Sequence, residues 1–385
     1  MKMKRVGIIT IHNSPNYGAC LQSFALYEYL RQSGQDVEII DLHRPAHADY
    51  VDSRRFTPFI HRFETRTQWV KRMIRTSLKW ITRRGNMNTQ NRKIAPPSTL
   101  ALFGSLNSKI RLTRPFNNID ELYANPPRFD TYITGSDQVW NPTQAYCIEP
   151  YFLTFVKSGR KISYASSIGI EKLTSKEQRK FKKWLSRYDK IAVREASAQK
   201  FLSNLTGQNV SCVADPTFLL DREYWKELVE EPDLNDYILV FTLAYERHIV
   251  EYAIRLATES GKKLVVLGIE QPDPDGYIAV TNATVQQWLG YIANADMVIT
   301  DSFHCTVFSI ILSARRFFTY ISPWSERGSR IIDLLNRYGL EDNLLNVQLT
   351  QSYETLEKIA PDYDNIKTVF DSEQSRSREF LLENL

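Results

Sequence analysis

Within residues 6–42 the chain reads as a strand, a helix and a second strand, and this order restricts the fold more than any other feature. Val6 to Ile11 is a short apolar run of the kind buried in a sheet. A polar loop, His12 to Gly18, follows it. From Ala19 the apolar residues Leu21, Phe24, Ala25, Tyr29 and Leu30 keep helical spacing, and Gly34 supplies a stop. Val37 to Leu42 is the second strand. A strand, a crossover helix and a strand in so few residues build a parallel sheet covered by helices.

The same rhythm continues. Strand patterns recur at residues 131–134, 161–165, 191–193 and 210–213. A fresh series begins at 237–243 and runs through 263–267, 297–300 and 317–321. At 385 residues the chain exceeds what one ordinary core organises. The polar stretch Glu230 to Asp236 is the best linker, which places a boundary near 221–236. The expectation is an α/β protein of two Rossmann-like domains, residues 1–228 and 236–385, whose parallel sheets face each other across a cleft. A C-terminal helix can pack back on the first domain. Ligands of such sheets bind at the carboxyl ends of the strands.

Residues 49–97 interrupt the pattern. Trp69, Val70, Met73, Ile74, Leu78, Trp80 and Ile81 recur at helical spacing, with Arg66, Lys71, Arg72, Arg75, Lys79 and Arg83 mostly on other faces. This is an inserted basic amphipathic helix. It suits either a solvated face on the domain or contact with an anionic membrane surface or lipid diphosphate. Between Arg54 and Lys93 there are twelve Lys/Arg and one acid, Glu64, against 37 basic and 43 acidic residues elsewhere. Basicity is therefore local, and a nucleic-acid partner is not expected. Cys20, Cys147, Cys212 and Cys305 are scattered, which argues against a disulfide framework or a zinc site. No run of 18 apolar residues predicts a membrane span, and the opening apolar run is too short for a signal peptide. A cytoplasmic protein is the default expectation.

Three loops can carry chemistry. The first, Asn16-Tyr17-Gly18, lacks the glycine patterns of dinucleotide and phosphate loops but opens a helix after a strand. There Gly18 would let an anion approach free backbone N–H groups. The second, Thr134 to Pro142, packs Ser136, Asp137, Gln138 and Asn141 around Trp140, the usual grips on a sugar's hydroxyls and apolar face. In the third, Asp301-Ser302-Phe303-His304 follows a buried strand, with Asp301 or Ser302 suited to the helix cap. His304 has the best position among six histidines for acid–base work. Arg194 and the pair Arg327 and Arg330 add forked donors at further strand-to-helix junctions.

Taken together, these segments resemble the polysaccharide pyruvyl transferase family. The resemblance runs through N-Y-G-A-C-L-Q (16–22), G-S-D-Q-V-W-N-P (135–142), S-Y-A-S-S-I-G (163–169) and V-R-E-A-S-A (193–198). It continues through D-P-T-F-L-L (215–220), T-D-S-F-H-C-T-V-F-S (300–309) and S-R-I-I-D-L-L (329–335). It implies a GT-B-like arrangement, no metal and no cofactor, phosphoenolpyruvate as donor and co-substrate, and a hexose with two free hydroxyls as acceptor. It also implies His304 as general acid and Arg194 as a donor-binding residue. Many members carry Arg-Leu-His where this chain has Ser302-Phe303-His304, so Arg330 or Arg327 would replace the missing cation.

The resulting expectation is a cyclic pyruvate ketal built on a polysaccharide or polyprenyl-diphosphate-linked glycan at the inner membrane surface. Asp137 would orient or deprotonate the acceptor, and Asp301 would support the charge of His304. Gly18, Ser302, Phe303, Arg194 and Arg330 would bind the donor, and Asn16, Tyr17, Ser136, Gln138 and Trp140 the acceptor. A nucleotide-sugar glycosyltransferase and a non-catalytic glycan-binding relative remain the alternative readings.

Overall fold

The computed structural model describes residues 3–44, 49–51, 106, 108–144, 147–170, 172–243, 247–268, 276–323 and 328–385. The basic helix expected at 65–84 lies outside them, as does Arg327.

Strands β1 (Arg5–Ile9), β2 (Asp36–Ile39), β3 (Thr131–Thr134) and β4 (Arg160–Ser163) form a parallel sheet in the order β2-β1-β3-β4. Strands β5 (Ile191–Val193) and β6 (Val210–Cys212) extend it through the bridges Ile162–Lys190 and Ser166–Val193. A second parallel sheet holds β7 (Tyr237–Phe241), β8 (Lys263–Leu267), β9 (Ile278–Val280), β10 (Met297–Thr300) and β11 (Phe317–Thr319). Its order is β11-β10-β7-β8-β9. Every residue of β3, β7, β10 and β11 is buried, as parallel strands covered on both faces require.

Several strands end two or three residues before the expected position, β2 at Ile39 and β7 at Phe241 among them, and one strand was not expected. β1 stops at Ile9, whose carbonyl accepts the last ladder bond from Gly135 N at 2.9 Å. Beyond it Thr10 Oγ1 donates to Ser136 O at 3.1 Å, so a side chain replaces the ladder and turns the chain away. The edge strand β9 was not expected, because its three residues are exposed or half-buried and leave no apolar run to detect.

Chain order reverses between β1 and β3 in the first sheet and between β7 and β10 in the second. Helix α1 (Tyr17–Gln32) leaves the first reversal and helix α4 (Phe303–Ile311) the second; the two pack together. Helix α2 (Ala196–Thr206) packs on β5 and β6, and helix α3 (Val285–Asn294) packs on α4. One continuous core runs from Val6 and Phe24 to Trp225, Trp288 and Phe308. Trp225 sits between Phe24 (6.4 Å between ring centres) and Phe308 (5.0 Å). Helix α5 (Ser329–Tyr338) precedes the final helix α6 (Tyr363–Asn384). Helix α6 returns to the segment after β6, where Gln374 Nε2 donates to Phe218 O (2.9 Å) and Ser377 Oγ accepts from Ala214 N (3.0 Å). Among the described residues no helix is long and apolar enough to cross a membrane.

Candidate active site

The two strand-order reversals face each other, and His304 stands where they meet. Ser302 caps α4, its Oγ accepting from Cys305 N at 3.4 Å, which sets His304 in the first turn. The imidazole lies on Gly18: a Cβ added there would stand 2.1 Å from His304 Nδ1. Glycine at 18 is therefore a seat for the histidine. The expected approach of an anion to the N–H groups beside Gly18 is corrected accordingly, because the ring fills that space. A Gly18→Ala variant is expected to displace His304 and lose most turnover, with overpacking costing about 1–3 kcal/mol. Wild-type activity in that variant, read alongside its melting temperature, would show the contact to be unimportant.

The carboxylate that meets His304 is Asp215, in the turn after β6, rather than Asp301. Asp301 Oδ1 instead accepts from Leu243 N at 2.8 Å. Asp215 Oδ2 lies 3.5 Å from His304 Nε2 and accepts from Arg194 Nη1 at 2.7 Å and from Ser136 Oγ at 3.2 Å. Its Oδ1 accepts from Thr217 N at 3.1 Å and Thr217 Oγ1 at 2.9 Å. Burial pushes the Asp215 carboxyl up, but His304, Arg194 and the Thr217 amide together hold it well below the usual carboxylate range.

Arg194 is 3% exposed, and among the described residues its Nε and Nη2 have no hydrogen-bond partner. Its guanidinium lies 4.2 Å from the Phe303 ring centre, and that of Arg330 lies 5.4 Å from the same ring. The Gln138 amide faces Arg330; with its oxygen toward the guanidinium the contacts are 2.8 Å to Nη2 and 3.2 Å to Nη1. Beside them Glu195 Oε1 accepts from Ser167 Oγ, while Oε2 is buried and unpartnered among the described residues. Burial raises the Glu195 carboxyl above its ordinary range despite Arg194. Two buried guanidiniums, a histidine, one firmly ionised carboxylate and unused N–H donors make a cradle for a compact anion.

The structure brings Gly18, Ser136, Gln138, Arg194, Ser302, Phe303, His304 and Arg330 together, but several expected acceptor contacts are corrected. Trp140 is 0% exposed; it stacks on Phe152 at 5.5 Å and donates from Nε1 to Tyr151 O, so it offers no face to a sugar. Tyr17 stacks on Trp288 at 5.1 Å and donates to Ala283 O at 2.6 Å, which joins the two sheets' helices and uses its hydroxyl. Asn16 caps α1 by accepting from Ala19 N. Ser136 turns inward to Asp215, and Gln138 serves Arg330. Asp137 stays half-buried with φ 72°, its Oδ1 bound to Gln138 N at 2.8 Å. Asp215 and Glu195 were not expected. The one signal for Asp215 was the Asp-Pro opening D-P-T-F-L-L; for Glu195 it was the neighbouring arginine.

The sequence profile of the family described as "Polysaccharide pyruvyl transferase" matches residues 16–317. The chain belongs to the polysaccharide pyruvyl transferase family. Membership makes it a transferase acting on polysaccharide. No curated protein matches the chain. Among solved structures, a glycotransferase of kitacinnamycin is 9% identical over 100% of both chains, with a TM-score of 0.52. A UDP-GlcNAc 2-epimerase from Methanocaldococcus jannaschii is 11% identical over 98% of this chain and 99% of its own, TM-score 0.51. The S. aureus MnaA–UDP co-structure is 11% identical over 97% and 91%, TM-score 0.51. These likenesses give the fold: two Rossmann-like domains in a GT-B-like arrangement. Among the described residues no group of three or more His, Cys, Asp or Glu is placed to hold a metal ion.

Proposed function

We propose that this transferase takes the enolpyruvyl carbons of phosphoenolpyruvate and closes them as a cyclic ketal on a hexose, releasing phosphate. The acceptor belongs to a polysaccharide or a polyprenyl-diphosphate-linked precursor, met in the cytoplasm at the inner membrane surface. The observation that carries this reading is the buried His304–Asp215–Arg194 group with Arg330 beside it. Phosphoenolpyruvate presents a carboxylate and a phosphate a few ångströms apart. Two forked cations with unused donors on Arg194 match that charge, and the proposal gives them the donor. Arg330 takes the place of the arginine absent at Ser302.

The chemistry needs no cofactor. His304, as imidazolium against the Asp215 carboxylate, gives its proton to the donor's methylene carbon, which makes C2 electrophilic. A sugar hydroxyl bonds to C2 and its proton returns to the histidine. The C2–O bond to phosphate then breaks, and Arg194 and Arg330 stabilise the charge that builds on the leaving oxygens. The neighbouring hydroxyl closes the ketal, its proton departing with phosphate. Asp137, at the rim of the site, orients the acceptor.

The test is phosphate release from phosphoenolpyruvate with a panel of galactosides, glucosides and N-acetylmannosaminides. Acceptor-dependent release with a product heavier by the ketal is the expected result. A protein stabilised by a nucleoside diphosphate but not by phosphoenolpyruvate would instead be a glycosyltransferase. In the same assay Arg330→Ala is expected to raise the donor KM about tenfold or more, the cost of one charged hydrogen-bonded contact; an unchanged KM removes Arg330 from the donor site.

A further inference from the structure

The connection from β5 to α2 consists of Arg194 and Glu195 alone, and α5 from the other sheet's half of the molecule binds the Arg194 carbonyl and the N–H that follows Glu195. Helix α2 begins without a side-chain cap of its own, Glu195 making none. Its first N–H, at Ala196, donates to Asp333 Oδ2 at 3.0 Å. Arg337 Nη2 donates to Arg194 O at 3.3 Å and to Asp333 Oδ2 at 3.0 Å. Arg337 Nη1 reaches Glu373 on α6 at 3.1 Å, and Glu373 is steadied by Arg376 at 2.8 Å. Arg330, Asp333 and Arg337 occupy positions i, i+3 and i+7, within about 60° of one another around the helix. One helix face thus carries a guanidinium of the anion cradle and two groups that hold the backbone beside the other, at the Arg194 carbonyl and the Ala196 N–H.

We infer that Asp333 and Arg337 are positioning residues for the donor, setting the spacing between the Arg194 and Arg330 guanidiniums. This rests on the donor assignment above. A planar fork binds an anion well only when it is already in place, because ordering it on binding costs affinity. With the Arg194 carbonyl held by Arg337 and the Ala196 N–H, two residues on, held by Asp333, the backbone that carries the Arg194 fork is tied to the helix that carries Arg330. His304 stands on α4 and touches neither Asp333 nor Arg337, so loss of the grip acts first on donor binding.

Arg337→Met is therefore expected to raise the KM and the calorimetric Kd for phosphoenolpyruvate about tenfold, with a smaller fall in kcat. Asp333→Asn keeps an oxygen for Ala196 N but loses its charge against Arg337, and should show a smaller rise in the same direction. Because the two side chains share one network, the double variant should fall short of the product of the single effects. Unchanged KM and Kd with a lowered melting temperature would reduce these contacts to domain docking and overturn the inference, as would a loss of kcat at constant KM. Should Arg337→Met fail to fold, Asp333→Asn gives the same reading. Wild-type protein that neither binds nor turns over phosphoenolpyruvate would remove the donor assignment itself. Wild-type turnover with indifferent variants would remove only the positioning role.

Discussion

Replacing His304 by glutamine is expected to cut acceptor-dependent phosphate release roughly 10²–10⁴-fold, the usual contribution of a positioned acid or base. Glutamine keeps a polar group of similar reach over Gly18 but cannot carry a proton to carbon. The donor KM should stay close to wild type, because Arg194 is held by Asp215 and by Arg337 and Arg330 stands on α5. That pattern separates a proton donor from a residue that merely fills space. Near-wild-type turnover would end the assignment of His304 as the acid. A matched loss of kcat and donor affinity would place the histidine in anion binding instead.

Asp215→Asn should produce the largest combined loss. The carboxylate is the direct partner of Arg194 and the counter-charge of His304, all buried. Removing one member of such a group leaves a buried charge without compensation and costs about 3–5 kcal/mol of stability. Glu195 cannot take over: it stands 3.9 Å from Arg194 Nε and burial favours its protonated form. Turnover should fall as well, since His304 loses its counter-charge and Arg194 its anchor. The pH dependence gives a second readout. In the folded state Asp215 stays ionised to well below its ordinary range, so the folded protein binds fewer protons there than the unfolded chain, and stability rises with pH. Its contribution is complete above the ordinary aspartate pKa of about 4 and is lost as pH falls below it toward the folded value. Denaturant midpoints measured from pH 6 down to the acid limit should drop more steeply in wild type than in Asp215→Asn. Equal slopes would mean that another carboxylate dominates acid unfolding.

Much of this arrangement could be read in the chain. Runs such as Val6–Ile9 and Tyr237–Phe241 are apolar throughout because both faces of a parallel strand are covered, and His304 drew notice because it follows another buried strand, Met297–Thr300. Asp215 did not, because what makes it important is remote: Ser136 and Arg194 stand 79 and 21 residues away along the sequence, and only folding brings their charges and hydroxyls to it. Trp140 misled for the opposite reason. An aromatic among polar residues suits a sugar platform and a core anchor equally, and its burial against Phe152 decides for the anchor. Tyr17 carried a similar ambiguity. Its partners Trp288 and Phe241 belong to the second sheet's half, so no local pattern announces that its ring is interface and not binding surface.

The contact between Gly18 and His304 also bears on how other chains of this kind should be read. Two positions 286 residues apart share one small volume, so they behave as a single heritable character. A relative with alanine or serine at the first position has no room for the imidazole at the second. There the ring must sit elsewhere, or the helix start must shift to admit it.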